Sequence, residues 1–136
     1  MIQLIYASYA TNPMSENDLI DLLSEIRARN EKQQVTGMLL YAEKKFLQVL
    51  EGEKKDVTQI YDSICQDSRN RGNVIYVEKE ISEREFPNWS MGFKHLKKQD
   101  RKDLEGFTEF LDSALDLRKY QRSHAVLLLS QFKDLT

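Results

Sequence analysis

Gln48 is a polar residue at a position where the surrounding pattern calls for a buried aliphatic one. It lies in the segment Phe46-Leu47-Gln48-Val49-Leu50-Glu51-Gly52, which is typical of a buried strand that runs into a turn. Side chains alternate between the two faces of a strand, so Gln48 shares its face with Phe46 and Leu50. Burying an amide without partners costs roughly 1–3 kcal/mol, so Gln48 must be hydrogen-bonded. A primary amide both donates and accepts, and its partners therefore bear directly on function.

A second set of polar residues ends the buried face of a predicted helix. Ser15 is expected to be the N-cap of this helix, with Asp18 in the capping-box position. Apolar residues follow at helical spacing: Leu19, Leu22, Leu23 and Ile26. Steps of three and four residues from Ile26 reach Arg29 and Asn30. The buried face of the helix should therefore end in a guanidinium and a second amide.

The order of the predicted elements indicates the framework that holds these side chains. Strands are predicted at residues 1–8, 35–41, 46–51, 74–77 and 88–93, and helices after Ser15 and from about Glu53 to Asp67. This βαββαββ order predicts an α+β, ferredoxin-like fold, with two helices on one face of a mainly antiparallel sheet. Cys65 is expected in the buried stripe of the second helix, and Gly72 is expected to break the chain after it.

Beyond Lys97 the pattern changes to two amphipathic helices. The first is expected after Asp100 and carries Leu104, Phe107, Leu111, Ala114 and Leu115. The second carries Val126, Leu127, Phe132 and Leu135. Their apolar stripes need a surface, so we expect the pair to cover the free face of the sheet. Residues 1–97 and 98–136 would then form one globule, with output or oligomer contacts in the second part.

The composition limits the class of protein. The chain has 136 residues, 40% of them hydrophobic, and a net charge of −2, which gives no reason to expect nucleic acid or an anionic membrane as a partner. Its one cysteine, Cys65, excludes an internal disulfide and suits a reducing compartment. No apolar run approaches the ~20 residues of a membrane helix, and no signal peptide is evident. His95 and His124 lack partners at metal-ligand spacing. We therefore expect a compact cytoplasmic domain without a metal site.

The fold would bring three of the polar side chains together. If the first and third strands are neighbours, the Tyr6 hydroxyl can hydrogen-bond Gln48. Asn30 would flank the same cleft from the end of the first helix, between walls of aliphatic side chains. Such a cleft suits a flat aromatic heterocycle with amide-like edges.

Four segments, in this order, resemble the BLUF domain, a blue-light sensor that uses FAD. They are Leu4-Ile5-Tyr6-Ala7-Ser8, Asn30 followed by Val35-Thr36-Gly37-Met38-Leu39, Phe46 to Gly52 as quoted above, and Asn88-Trp89-Ser90-Met91. The segment Gln66-Asp67-Ser68-Arg69 also fits, and the resemblance covers about residues 1–95. It implies FAD held non-covalently between the two helices.

Within this resemblance, Tyr6 and Gln48 match the photoactive tyrosine and glutamine of the family. Asn30 matches the asparagine that holds the O4/N3 edge of the isoalloxazine. The implied response to light is donation of an electron and a proton by the phenol, followed by rotation or tautomerisation of the amide. No covalent bond forms and no net redox change is needed, so the signal is a rearrangement of hydrogen bonds.

The resemblance implies roles for five further residues. Arg69 matches an arginine that lies toward the phosphate or ribityl side of the flavin. Trp89 and Met91 match residues of the strand that moves after light, and with Phe93 they should share one face of it. Arg29 and Asn70 stand where some members have a histidine, and we expect them to bind the ring or the ribityl chain.

These features favour a photoreceptor that signals to a partner protein, forms a homo-oligomer and is not itself an enzyme, since only about forty residues follow the sensor. Two other classes stay open: a small flavin-binding enzyme or acylphosphatase-like hydrolase on the same fold, and a ligand-binding or structural module. The hydrolase needs a phosphate-cradling loop after the first strand, and residues 7–11 contain neither glycine nor arginine. Taken singly, Tyr6 would also fit a core tyrosine and Asn30 a helix cap.

Overall fold

The computed structural model describes residues 1–87, 90–97, 99 and 122–133. Within them the chain forms β1 (Ile2–Ala10), α1 (Glu16–Gln33), β2 (Thr36–Ala42), β3 (Lys45–Gly52), α2 (Lys54–Gln66), β4 (Asn70–Glu80), β5 (Gly92–His95) and α3 (Arg122–Lys133). Up to β5 this is the predicted βαββαββ order. The helix expected at about residues 100–115 lies outside the described residues. None of the described helices is long and apolar enough to cross a membrane.

The five strands form one mixed sheet in the order β4-β1-β3-β2-β5. The pairs β4–β1, β1–β3 and β3–β2 are antiparallel, whereas β5 joins the edge of β2 in parallel. The predicted α+β, ferredoxin-like fold is therefore confirmed. Its central strand is β3, where Gln48 lies between Tyr6 of β1 and Leu39 of β2.

α1 begins and ends as its sequence dictates. The Ser15 hydroxyl accepts a hydrogen bond from the Asp18 amide at 3.1 Å, and the Asp18 carboxylate accepts one from the Ser15 amide at 3.0 Å. The helix ends at Gln33, and its C-cap Gln34 adopts the left-handed conformation with φ 55°. Its buried residues are Leu19, Leu22, Leu23, Ile26 and Asn30, so the predicted apolar stripe does end in an amide.

Each face of the sheet carries its own hydrophobic core. α1 and α2 cover one face, and their core includes Leu4, Tyr6, Leu23, Ile26, Leu39, Phe46, Leu50, Ile60 and Met91. α3 covers the opposite face, where its buried residues pack with Ile5, Ala7, Met38, Leu40, Leu47, Val49 and Leu96. The sheet thus separates the α1–α2 side from the α3 side, and each side has its own packing.

Two expectations about local structure were wrong. Cys65 is exposed rather than buried, because the inward stripe of α2 follows Val57, Ile60 and, in part, Ile64 and leaves Cys65 at its edge. Gly72 does not break the chain but lies within β4 with φ 67°, where the register against β1 shifts.

The last strand and the last helix also differ from expectation. β5 begins only at Gly92, so Met91 precedes the strand instead of belonging to it. Among the side chains of α3 that the structure describes, Ala125, Leu128 and Leu129 are buried, whereas Val126 and Leu127 are 42% and 38% exposed. Residues 125–129 are all apolar, so the helical period alone could not decide which face is buried.

Candidate functional site

Tyr6 and Gln48 form a buried hydrogen-bonded pair on the α1–α2 side of the sheet. They lie opposite each other on β1 and β3, and the Tyr6 hydroxyl donates to Gln48 Oε1, as the sequence predicted. The two side chains are 3% and 1% exposed. Burial raises the pKa of Tyr6, with a further contribution from nearby Tyr61. A tyrosine is a neutral phenol at neutral pH in any case, and burial disfavours the ionised form of Tyr6 further, so its hydroxyl has a proton to give.

The other end of the Gln48 amide faces Met91. Gln48 Nε2 donates to Met91 Sδ at 3.4 Å, and Met91 is 2% exposed. A thioether sulfur is a weak acceptor, so this NH₂ group keeps capacity for a stronger partner. Met91 therefore contacts the predicted photoactive amide directly. Trp89, the neighbouring residue of the predicted site, lies outside the described residues.

Several buried polar atoms around this pair have no hydrogen-bond partner among the described residues. They are Ser8 Oγ, Arg29 Nε and Nη2, Asn30 Oδ1 and Asn70 Oδ1. The other atoms of both amides are satisfied: Asn30 Nδ2 donates to the Ser90 carbonyl at 2.9 Å, and Asn70 Nδ2 donates to the Ile64 carbonyl at 2.8 Å. Buried polar groups are nearly always paired in folded proteins, so this group of donors and acceptors indicates a bound polar molecule.

A cleft that is partly open to solvent, with a cavity volume of about 60 Å³, lies between the sheet, the second half of α1 and the C-terminal end of α2. Apolar side chains form much of its wall: Leu22, Ile26, Leu39, Phe46 and Ile64. The predicted site residues that line it are Tyr6, Arg29, Gln48, Arg69 and Asn70. Asn30, which follows Arg29 in the sequence, is fully buried and does not line the cleft.

The two arginines of the cleft differ in how their charges are compensated. Arg69 Nη2 lies 2.6 Å from Asp67 Oδ2 and 2.8 Å from Glu25 Oε2. This pairing lowers the pKa of Asp67 and raises that of Arg69. Burial, in contrast, lowers the pKa of Arg29, which has no ion pair among the residues described. Arg29 is thus the cation that an incoming ligand would find uncompensated.

Sequence reasoning missed three residues of this site. Glu25 lies one helical turn before Arg29, a spacing that could have placed it at the cleft. Asp67 belongs to a segment that matched the family, yet no role was expected for it. Tyr61 packs its ring edge-on against Tyr6, with centroids 5.1 Å apart and planes at 68°. That contact joins α2 to β1 and could not be read from local spacing.

In the described part of the chain, no cluster of His, Cys, Asp and Glu could hold a metal ion.

Comparison with known proteins decides the family. The family profile described as BLUF, sensors of blue light using FAD, matches residues 1–92. The chain belongs to the BLUF family. It is therefore a blue-light sensor, and FAD is its cofactor.

Relatives in this family differ widely in size. The photoactivated adenylate cyclase subunit alpha of Euglena gracilis is 41% identical over 86 residues, which is 63% of this chain and 8% of that protein. The blue light- and temperature-regulated antirepressor BluF of Escherichia coli (strain K12) is 32% identical over 101 residues, 74% of this chain and 25% of that protein. The chain thus spans only a small part of the curated relatives that it matches.

Among solved structures, the ground state of the BLUF protein BlsA superposes with a TM-score of 0.79 at 26% identity, covering 98% of this chain and 87% of that one. A bacterial light-regulated adenylyl cyclase superposes with a TM-score of 0.77 at 26% identity, covering 96% of this chain and 40% of that one. The likeness to BlsA therefore extends over nearly the whole of both chains.

The lining of the cleft of this BLUF protein suits FAD in its chemistry. An isoalloxazine is flat and carries carbonyl and N–H groups along one edge, so it needs apolar walls and both donors and acceptors. In the lining, Arg29 offers unpaired donors and Asn70 Oδ1 offers an unpaired acceptor; Asn30 Oδ1, which does not line the cleft, is a further unpaired acceptor. The weakly engaged NH₂ of Gln48 is a further donor.

Proposed function

We propose that this chain is a blue-light photoreceptor in which Tyr6 and Gln48 respond to excitation of bound FAD and pass a conformational change to a partner protein. The observation that carries the proposal is the hydrogen bond from the Tyr6 hydroxyl to Gln48 Oε1 at the wall of the cleft. It joins a proton donor to a group that can exchange its hydrogen-bond partners.

The proposed cofactor contacts are divided among three elements. Arg29 and Asn30 would hold FAD from the end of α1, Tyr6 and Gln48 from the sheet, and Asn70 from the start of β4. The unpaired atoms of Arg29, Asn30 and Asn70 support this assignment. Arg69 would contact the phosphate or ribityl side of FAD, with its guanidinium held in place by Asp67 and Glu25. The roles proposed for Trp89 and Met91 concern the signal rather than binding.

FAD supplies the excited state of a flavin, which is a strong one-electron oxidant. Tyr6 can lose an electron and a proton, because it is a phenol and Gln48 Oε1 already accepts its hydrogen bond. Gln48 can then rotate or tautomerise, which changes what its amide presents to Met91. Return of the electron and the proton to Tyr6 leaves a new arrangement of hydrogen bonds and no net redox change.

We further propose that the chain signals by contact with another protein and catalyses no reaction itself. The cyclase named above is matched over 8% of its length, so its activity is not transferred to this chain. The hydrolase alternative loses support, because Ala7 to Ala10 belong to β1 and form no phosphate-binding loop. The same proposal includes a homo-oligomer, formed through exposed Val126 and Leu127 of α3. It also includes a cytoplasmic location, which suits the free and exposed Cys65.

The test is the absorption spectrum of the purified protein before, during and after blue light. The proposal predicts a yellow protein whose flavin band shifts to longer wavelength under illumination and returns in darkness. A protein that retains no flavin, or whose bound flavin only bleaches, would refute it. A flavin-dependent enzyme would instead consume an added electron donor, and that is the outcome expected of the alternative.

A further inference from the structure

Two side chains of α1 hold the short segment that leads into β5. Arg27 Nε donates to the Met91 carbonyl at 2.9 Å, and Asn30 Nδ2 donates to the Ser90 carbonyl at 2.9 Å. Residues three apart on a helix lie on the same face, so Arg27 and Asn30 reach two consecutive carbonyls together. The segment is thus attached to α1 by two hydrogen bonds that involve no strand pairing.

The same segment touches the photoactive pair from the other side. The Met91 side chain accepts the hydrogen bond from Gln48 Nε2 while its backbone carbonyl is held by Arg27. If the Gln48 amide rotates, its oxygen replaces its NH₂ group next to Met91 Sδ. Two acceptors then face each other and the attraction is lost. Met91 therefore lies between a group that would rearrange and a group that holds it in place.

We propose that Arg27 and Asn30 form a clamp that keeps Ser90 and Met91 in the arrangement existing before illumination. In this clamp Arg27 is a positioning residue: it does not line the cleft, and it acts through Met91. The proposal rests on the proposed function and adds a second group of residues that influences the structural change after light. Gln48 would start the change, and the clamp would determine how far it reaches into β5.

The geometry of β5 makes this control effective. The strand is only four residues long, and its parallel pairing with β2 begins at Gly92, directly after Met91. So short an edge strand has little pairing of its own to fix its position. A hydrogen bond from a charged donor is among the stronger single contacts available to it. Losing the Arg27 contact should therefore loosen the start of β5 without disturbing the Tyr6–Gln48 pair.

The variants that test the clamp are Arg27→Ala, which removes the donor, and Arg27→Lys, which restores a charged donor. Lys32→Ala is the matched control, because Lys32 is an exposed cation on the same helix. Three quantities are measured on the flavin-loaded protein: the size of the red shift, the rate of dark recovery, and amide hydrogen exchange of residues 90–95 in darkness and in light.

For Arg27→Ala we expect an unchanged red shift, dark recovery slowed roughly three- to tenfold, and faster exchange of residues 90–95 already in darkness. Recovery slows because the segment must return to its place without the Arg27 contact. Arg27→Lys should regain most of the wild-type behaviour, and Lys32→Ala should retain all of it.

Wild-type recovery and wild-type dark exchange in Arg27→Ala would overturn the clamp while leaving the proposed function intact. Failure of the proposed function would be visible separately, as the absence of a reversible red shift in the wild type. The dark exchange comparison does not depend on the photocycle and still decides whether Arg27 restrains the segment.

Discussion

Tyr6 combines three properties that a light-driven proton and electron donor needs. Its ring packs against Tyr61, its hydroxyl donates to Gln48, and it is a neutral phenol, since burial raises a pKa that already lies above neutral pH. Tyr6→Phe should keep the ring contacts and therefore bind flavin, but it should show no reversible red shift. The light-minus-dark absorption spectrum is the measurement, and a normal photocycle in this variant would exclude Tyr6 as the donor.

Arg29 gives a prediction in which stability and binding change in opposite directions. Arg29 is half-buried, and its Nε and Nη2 atoms are buried without a hydrogen-bond partner, which destabilises the flavin-free protein, whereas the same cation strengthens binding of a ligand that supplies acceptors. In Arg29→Gln we expect a higher unfolding temperature of the flavin-free protein and FAD affinity reduced about tenfold or more. Thermal unfolding and flavin titration measure the two effects. Parallel losses in both would show instead that Arg29 is needed for folding.

At the residue scale, site residues could be predicted from the sequence where a polar side chain occupied a position that the apolar pattern assigns to the core. Gln48 in an apolar strand and Asn30 at the end of an apolar stripe both demanded partners, and both are buried. The partners themselves were only partly predictable. Tyr6 followed from strand pairing, but the bond from Asn30 to Ser90 spans 60 positions and depends on where β5 begins. The pairing of Arg69 with Glu25 likewise needed the two helices to be placed.

At the scale of the elements, the contact between β2 and β3 leaves no room for a side chain at Gly37. A Cβ atom at Gly37 would lie 1.8 Å from the Val49 carbonyl oxygen, a backbone atom that cannot move aside. Gly37→Ala should therefore destabilise the protein by about 3 kcal/mol. Denaturant unfolding measures this loss, with Gly52→Ala as the control, because its Cβ would be 3.2 Å from a Val35 side-chain atom. Equal stability of the two variants would contradict the close packing assigned to Gly37.

Element boundaries were predictable where signals were local and strong. The capping box fixed the start of α1, and alternation of apolar residues fixed β2 and β3 to within a residue or two. β5 begins later than predicted because the carbonyls of Ser90 and Met91 accept hydrogen bonds from side chains of α1 rather than from a neighbouring strand. That contact is tertiary, so no spacing rule could reveal it.

At the scale of the whole molecule, β5 connects the two sides of the sheet. Met91 before it belongs to the core under α1 and α2, and Leu96 after it belongs to the core under α3. The connection therefore runs along the chain through β5. The helix expected after Asp100, with Leu104, Phe107 and Leu111, lies outside the described residues.

A shift of β5 should therefore reach α3 through Leu96. We expect blue light to change amide hydrogen exchange in residues 92–96 and in 122–133 of the flavin-loaded protein. The control is Tyr6→Phe, in which neither region should respond. A light-dependent change confined to the residues of the cleft would show that α3 is a fixed cover and takes no part in the output.

If the Gln48 amide rearranges after excitation, Gln48→Leu should abolish the response to light. Leucine keeps the size and the apolar contacts of the strand position but removes the acceptor for Tyr6 and the donor for Met91. The measurement is the light-minus-dark absorption spectrum of the flavin-loaded variant beside the wild type. We predict a reversible shift to longer wavelength in the wild type and none in Gln48→Leu, with flavin still bound. A shift of wild-type size in the variant would show that another group rearranges instead of Gln48.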